Sequence, residues 1–229
     1  MSDTATVAGQ SRGMFVSFEG PEGAGKSTQI RLLAARLERE GIVHLLTREP
    51  GGTDIGGKLR ELVLDTRSHM SAMTEFLIYS ASRAQLVGEV MRPALERGEV
   101  LVCDRYVDSS YAYQGHGRGL DMAQLRAVSE AATGGLTPDL TILLDIDPGL
   151  GLGRAARVGE PDRIEQAGLE FHARVREGFL SLAAVEPSRF VTLNGAEAQE
   201  PLSEAVWQAV SARWNASRSR DQAGNAHLV

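Results

Sequence analysis

A glycine-rich segment followed by a lysine and a serine could bind the phosphates of a nucleotide. It matches every position of the motif G-x-x-x-x-G-K-[ST] and consists of Gly20, Pro21, Glu22, Gly23, Ala24, Gly25, Lys26 and Ser27, with Thr28 directly after it. Backbone N–H groups of such a loop surround a polyphosphate, and the N-terminus of the following helix adds partial positive charge. Lys26 would contact the β- and γ-phosphates, and the hydroxyl of Ser27 would contact Mg²⁺. The segment therefore predicts a site for a nucleotide polyphosphate and Mg²⁺.

Such a loop needs a strand before it and a helix after it, and the sequence predicts both. Residues 14–18 are largely apolar and predict a buried strand, whereas residues 28–40 carry apolar side chains at helical spacing. A chance glycine-rich turn would have no reason to lie between these two elements. The surroundings therefore favour the phosphate-binding interpretation.

Short apolar runs alternate with amphipathic stretches along the whole chain. The runs predict five strands, at residues 15–19, 43–47, 100–104, 140–146 and 190–193. The remaining helices are predicted at residues 54–64, 72–97, 121–132, 148–158, 168–185 and 201–214. This alternation predicts an α/β fold in which a parallel five-stranded sheet is flanked by helices on both faces. Ligands are expected beyond the carboxyl ends of the strands.

Charged side chains follow the predicted strands at that edge. Asp104 ends an apolar run, which is the usual position of a carboxylate that helps to hold Mg²⁺. Asp145 is a second candidate for this role, or else it caps the next helix. Arg48 and Arg105 could bind the phosphate of an acceptor nucleotide, or they could form solvated ion pairs at the surface.

Tyr79 and Arg83 lie one helical turn apart and share a helix face. The tyrosine ring offers a flat surface for a base, and the guanidinium offers donors at the edge of that base. Packing of Phe76, Leu77 and Tyr79 in the core is the alternative interpretation.

Three arginines, Arg154, Arg157 and Arg163, follow the fourth predicted strand. Arginines carried by a closing lid can neutralise the negative charge that phosphoryl transfer concentrates on the moving group. The same residues could instead form the exposed basic end of a helix.

Composition limits the kinds of partner. The 229 residues carry a net charge of −6, which argues against general affinity for nucleic acid or a membrane surface. Because Cys103 is the one cysteine, a disulfide within the chain is excluded. The polar N-terminus and the lack of a long apolar stretch predict a soluble, cytoplasmic protein.

The sequence predicts a single domain at residues 13–214, with a lid at about 154–166. We expect a flexible N-terminus at residues 1–12 and a flexible tail at 215–229.

Several segments together resemble bacterial thymidylate kinases over residues 13–214. The matching segments are residues 18–27 (FEGPEGAGKS), 47–53 (TREPGGT), 82–87 (SRAQLV), 104–106 (DRY), 112–115 (AYQG) and 162–165 (DRIE). The phosphate loop alone would indicate only nucleotide binding, but these segments in this order are far more specific. The resemblance implies a P-loop kinase fold with a mobile lid, a homodimer, and Mg²⁺-dependent transfer of the γ-phosphate of ATP to dTMP.

The resemblance also implies roles for individual residues at the acceptor site. Glu22 corresponds to an acid near the 3′-hydroxyl of the acceptor sugar, and Arg48 and Arg105 correspond to ligands of the acceptor phosphate. The remaining residues implied in dTMP binding are Tyr79 against the base, Arg83 at its edge, and Ser110, Tyr113 and Gln114 around the base and deoxyribose. Tyr79 replaces a phenylalanine that is usual in the family.

A further set is implied in catalysis: Lys26, Arg105 and the lid arginines Arg154, Arg157 and Arg163. The phosphate loop carries no arginine at its variable positions, which resembles the arrangement in which the lid supplies the catalytic arginine. Arg154 is the first choice among the three.

Other functions remain open from the sequence. The chain could be a kinase for another nucleoside monophosphate or for a deoxynucleoside. A nucleotide-dependent switch is a second alternative, although the guanine-reading motif Asn-Lys-x-Asp is absent from the sequence. A catalytically idle relative is a third, although Lys26, Ser27, Asp104 and Arg105 are all present.

Overall fold

Five parallel strands form the centre of the protein, in the order β2-β3-β1-β4-β5. They are β1 (Met14–Glu19), β2 (His44–Arg48), β3 (Val100–Asp104), β4 (Leu140–Asp145) and β5 (Phe190–Asn194). The computed structural model describes residues 12–157 and 159–225. Each predicted strand is found, with its ends within one residue of the prediction, because buried parallel strands are continuous apolar runs that sequence reveals well.

The register of the sheet places the predicted polar residues at one edge. Arg48 at the end of β2 pairs with Asp104 at the end of β3, and Asp104 also pairs with Phe18 of β1. Because all five strands run in the same direction, the phosphate loop after β1 begins at this same edge. The fold therefore brings the loop, Arg48 and Asp104 together.

Helices cover both faces of the sheet. They are α1 (Lys26–Arg39), α2 (Asp54–Leu64), α3 (Ala72–Leu86), α4 (Arg92–Glu96), α5 (Val107–Ser110), α6 (Met122–Thr133), α7 (Pro148–Ala155), α8 (Leu169–Val185) and α9 (Gln199–Asn225). Phe15 and Leu101 pack with residues of α3, α6 and α8 on one face, whereas Val16 and Val102 pack with α1 and α9 on the other. Alternate strand residues thus contribute to two cores, and the predicted three-layer α/β fold is confirmed.

Side chains at helix starts explain several boundaries. The hydroxyl of Ser71 accepts a hydrogen bond from the N–H of Thr74 at 3.1 Å and so caps the N-terminus of α3. Pro148 lies in the first turn of α7, where the fixed φ of proline suits a helix. Asp147, not Asp145, caps this helix, because its carboxylate accepts from the N–H of Leu150 at 3.0 Å.

The predicted helices differ from the structure in some details. The long helix predicted at residues 72–97 is found as a continuous helical stretch, which consists of α3, a π-helical turn (Val87–Met91) and α4, with Pro93 in the first turn of α4. A second π-helical turn, Tyr111–Gly117, follows α5, and neither was predicted. The last helix continues to Asn225, so part of the predicted tail is helical. The rest of that tail, residues 226–229, and residues 1–11 of the predicted flexible N-terminus lie outside the described residues.

None of the described helices combines the length and the apolar character that a membrane-spanning helix requires.

Candidate active site

The carboxyl edge of the sheet opens into a cleft of about 730 Å³. Most of the predicted site residues line it: Glu22, Gly23, Ala24, Gly25, Lys26, Ser27, Thr28, Arg48, Tyr79, Arg83, Asp104, Arg105, Ser110, Tyr113, Gln114 and Arg154. Gly20 and Pro21 belong to the loop but not to the lining of the cleft, and Arg157 and Arg163 do not line it either. One cleft therefore contains most of the phosphate loop and all of the predicted acceptor residues.

The phosphate loop is held around Lys26 at the start of α1. The ammonium group of Lys26 donates hydrogen bonds to the carbonyl oxygens of Gly20 at 3.0 Å and Pro21 at 2.9 Å. Burial lowers the pKa of Lys26 to about 8, with a further lowering by the charge of Arg105. Lys26 is thus a buried donor within the loop.

The loop contacts α7 backbone to backbone through two glycines. Gly23 has a φ of 66°, and a Cβ there would overlap the carbonyl oxygen of Gly151. A Cβ at Gly151 would in turn overlap the carbonyl oxygen of Glu22. Only glycine permits this close approach. It places α7, which carries Arg154, directly against the phosphate loop.

Ser27 and Asp104 form a pair of oxygen ligands that fits Mg²⁺. The Ser27 hydroxyl donates to Oδ2 of Asp104 at 3.3 Å, and Oδ1 of Asp104 is buried without a hydrogen-bond partner in the described chain. No cluster of three or more histidine, cysteine, aspartate or glutamate side chains suitable for a metal is found in the described ranges. Mg²⁺ commonly takes only one or two carboxylates and completes its shell with phosphates and water, so this small set is sufficient.

Asp145, the rival acid, is engaged elsewhere. Arg176 of α8 donates two hydrogen bonds to its carboxylate, at 2.7 Å and 2.8 Å. Asp145 also does not line the cleft. The structure therefore favours Asp104 as the acid of the metal site.

Arg105 extends from the end of β3 to the phosphate loop. It has a φ of 71° and is the only non-glycine residue with a positive φ in the described chain. Its guanidinium donates to the carbonyl oxygen of Gly20 at 3.1 Å and to Glu22 at 2.8 Å. An uncommon backbone conformation at a cleft residue often marks a functional site, and here it directs the side chain across the cleft.

Glu22 lies at the centre of this charge network. Burial by itself would raise its pKa, but the charges of Arg105 and Lys26 and a hydrogen bond from Tyr113 together lower that pKa to about 2. The Tyr113 hydroxyl donates to Oε1 of Glu22 at 2.7 Å, and the guanidinium of Arg105 lies 5.0 Å from the Tyr113 ring centre. Glu22 is therefore an anion held between two predicted acceptor ligands.

Glu19, which the sequence analysis did not single out, lies buried beneath Arg105. Its carboxylate accepts from the N–H of Tyr106 at 2.7 Å and from the hydroxyl of Ser109 at 2.5 Å. Burial, followed by the nearby charge of Asp108, raises the pKa of Glu19 to about 8. Glu19 holds the backbone that follows Arg105, and an acid ending a buried strand was the signal that could have identified it.

Arg83 also lines the cleft and is almost completely buried. It donates to Glu49 at 2.7 Å and to the Ser110 hydroxyl at 3.0 Å. Its Nη1 group is buried and has no hydrogen-bond partner in the described chain. Because such a donor is costly to leave unpaired, Nη1 is suited to bind a ligand acceptor.

Tyr79 lines the cleft one turn before Arg83, whereas its neighbour Phe76 is fully buried in the core. Leu77 is about half exposed. The core-packing interpretation thus applies to Phe76, whereas Tyr79 lines the cleft and its base-stacking role stays a prediction.

The lid arginines occupy three different environments. Arg154 lines the cleft and donates to the carbonyl oxygen of Gly195 at 2.7 Å. Arg157 is exposed and does not line the cleft. Arg163 forms an ion pair with Glu75 at 2.7 Å and donates a hydrogen bond to the carbonyl oxygen of Val63 at 2.8 Å. Of the three lid arginines, the structure brings only Arg154 to the cleft, which Arg105 of the predicted catalytic set also lines.

Arg60 of α2 also lines the cleft and was missed by the sequence analysis. It donates to the carbonyl oxygen of Pro50 at 3.1 Å, and burial and the charge of Arg48 lower its pKa. Its only sequence signal was an arginine on the amphipathic helix after the TREPGGT segment. Arg48, Arg60 and Arg105 thus all line the cleft.

The parallel sheet, the phosphate loop and the adjoining Ser27 and Asp104 define a P-loop kinase fold. A family model for thymidylate kinase matches residues 18–206. The chain belongs to the thymidylate kinase family.

Curated relatives agree with this assignment. The thymidylate kinase of Deinococcus radiodurans is 59% identical over 203 residues, covering 89% of this chain and 98% of the relative. The thymidylate kinase of Cutibacterium acnes is 52% identical and covers 89% of this chain and 98% of its own length. That of a Synechococcus species is 49% identical, with coverage of 87% and 95%. The resemblance seen in the sequence segments is thereby confirmed.

Proposed function

We propose that this protein is an ATP:dTMP phosphotransferase, which transfers the γ-phosphate of ATP to dTMP and yields dTDP and ADP. The observation that carries the proposal is the set of residues that share one cleft. The phosphate loop, Arg83 with its unpaired buried donor, and Arg105, which donates to the carbonyl oxygen of Gly20 in the loop, all belong to it. Membership of the thymidylate kinase family supports the choice of acceptor.

Positioning and positive charge would supply the catalysis. Lys26 would contact the β- and γ-phosphates of ATP, and Arg48, Arg60 and Arg105 would orient the acceptor phosphate for in-line attack. Arg154 would contact the transferring group, where negative charge is concentrated. Ser27 and Asp104 would hold Mg²⁺, which neutralises part of the phosphate charge when bound.

The acceptor nucleoside would occupy the pocket beyond Arg105. Tyr79 offers the surface for the base, and Nη1 of Arg83 would donate to a carbonyl oxygen at the edge of the base. Tyr113 and Ser110 would line the deoxyribose, with Glu22 near the 3′-hydroxyl. The bulk of the Tyr113 ring would disfavour a 2′-hydroxyl at this position.

An ADP-release assay with ATP and Mg²⁺ tests the proposal, with dTMP, dUMP, UMP, CMP, AMP and GMP supplied in turn. Turnover is expected to be strongest with dTMP. Stronger turnover with another monophosphate would keep the kinase and refute the thymine site. No stimulation by any acceptor would instead indicate a switch or a binding module.

A homodimer and a cytoplasmic location stay predictions. Three apolar side chains on the packed pair of helices α2 and α3, Ile55, Leu62 and Leu77, are each about half exposed, which supports an interface there. Light scattering during gel filtration would distinguish a dimer from a monomer, and Leu62→Asp would be expected to weaken a dimer formed through this face.

A further inference from the structure

Glu75 is a buried acid in the first turn of α3 that lies behind the cleft and does not line it. Its Oε2 forms an ion pair with Arg163 at 2.7 Å and accepts a hydrogen bond from Arg118 at 3.2 Å. Its Oε1 accepts from the side-chain amide of Gln114 at 2.9 Å. The carboxylate therefore connects two arginines to a residue that does line the cleft.

The hydrogen bond to Glu75 determines the orientation of the side-chain amide of Gln114. A glutamine amide has a donor nitrogen and an acceptor oxygen, whereas an ion-paired carboxylate only accepts. The nitrogen of Gln114 must therefore face Glu75, and its oxygen must be directed away from that carboxylate. No hydrogen bond to this oxygen is found among the described residues, so it is free to accept one from a ligand in the cleft.

Arg83 and Gln114 then present opposite polarities to the cleft. Nη1 of Arg83 is a buried donor without a partner, and the amide oxygen of Gln114 is an acceptor. A matching base edge must place a carbonyl oxygen beside a ring N–H. Thymine has this edge, with N3–H between two carbonyl groups. Cytosine has the reverse polarity at N3 and C4, a ring nitrogen lone pair beside an amino group.

We propose that Glu75 is a positioning residue for base selection, which fixes the Gln114 amide so that its oxygen faces the base and rejects cytosine. The inference rests on the proposed function, because it concerns the acceptor pocket of that reaction. Glu75 acts through Gln114 and does not touch the base itself. The ion pairs with Arg118 and Arg163 keep its carboxylate in place.

The test is Glu75→Gln, which preserves shape but allows the partner of Gln114 to donate as well as accept. The Gln114 amide can then rotate and present its nitrogen to the base. We expect the ratio of kcat/KM for dTMP to that for dCMP to fall about tenfold or more, because a site that pairs polar groups discriminates strongly against the mismatched analogue. A merely structural defect would lower both values together and leave the ratio unchanged.

Two further variants separate this effect from loss of charge balance. Arg118→Gln removes one ion pair and leaves the carboxylate on Gln114, so the ratio is expected to stay within about twofold of the wild type. Glu75→Gln combined with Arg118→Gln restores the charge balance, and this double variant replaces the single Glu75 variant if the latter does not fold.

A third background tests whether Glu75 acts through Gln114. In Gln114→Met, a further Glu75→Gln change should no longer alter the ratio of kcat/KM for dTMP to that for dCMP.

An unchanged ratio in folded Glu75→Gln, or in the charge-balanced double variant, would overturn the proposal. That result is distinguishable from failure of the proposed function, which would appear in the wild-type protein as a lack of stimulation by dTMP.

Discussion

Arg105 and Glu22 form an ion pair of 2.8 Å that joins the end of β3 to the phosphate loop. The two residues are 83 positions apart in the chain. Both side chains are mostly buried, so the pair is screened less by solvent than a surface pair would be. The pair links the element that holds ATP in our proposal with the residue that would hold the acceptor phosphate.

Replacing Arg105 by Ala should lower kcat/KM for dTMP by about 100-fold or more, because a donor to the reacting phosphates is lost from a preorganised site. The fold should persist, since the core clusters on both faces of the sheet do not include Arg105. Steady-state kinetics and circular dichroism check the two parts. Arg105→Lys is the matched control, which keeps the charge but loses the forked geometry and should restore only part of the activity. Near-normal turnover of Arg105→Ala would refute the assigned role.

Glu22 should make stability sensitive to acid. Its pKa is lowered from the usual 4.5 to about 2 in the folded protein, so its ionised form favours folding. This contribution is present above pH 4.5 and is lost as the pH falls toward 2. Denaturant unfolding across that range should therefore show a shallower loss of stability in Glu22→Gln than in the wild type. Parallel curves for the two proteins would contradict the lowered pKa.

Ionisation of Glu19 should change the free energy of unfolding in the opposite direction to ionisation of Glu22, and over a different pH range. Its pKa is raised from the usual 4.5 to about 8 by burial and by Asp108, so the protonated form favours folding. The contribution is fully present below pH 4.5 and is lost as the pH rises through 8. Glu19→Gln stays uncharged and can still accept from the N–H of Tyr106. The free energy of unfolding of this variant should fall less between these pH values than that of the wild type, and an equal or steeper fall would show that Glu19 is ionised throughout.

The lid arginines should differ sharply in their effect on catalysis. Arg154→Ala should lower kcat more than it raises the KM for ATP, because Arg154 lines the cleft beside the phosphate loop. Arg157→Ala is the control, since Arg157 is exposed and outside the cleft. Single-turnover rates at saturating ATP would measure the chemical step directly. An equal loss in both variants would show that the lid uses Arg157 in a closed arrangement.

The strands and the phosphate loop were predictable because each depends on local pattern. A buried run such as Val100–Asp104 is recognisable by composition, and the phosphate loop has a fixed spacing between Gly20 and Lys26. Asp104 could also be assigned, since its place at a strand end follows from the strand itself. The sequence therefore predicted the strands and the phosphate loop, together with the position of Asp104 at a strand end.

Residues fixed by tertiary contacts were harder to predict. The charge of Arg163 suggested a phosphate ligand, but Glu75, 88 positions earlier, holds its guanidinium away from the cleft. The roles of Glu19 and Arg60 depend on Tyr106 and Pro50, which no local pattern connects to them. Local sequence pattern cannot reveal which of several arginines forms an ion pair with a buried acid, because tertiary packing determines that pairing.

The most direct test of the proposed function is transfer of a radiolabelled γ-phosphate from ATP to dTMP, with products separated by chromatography. Label is expected in dTDP in amounts equal to the ADP formed, and Lys26→Ala should abolish it. Label released only as inorganic phosphate, or label absent from dTDP while ATP is consumed, would contradict the assignment as an ATP:dTMP phosphotransferase.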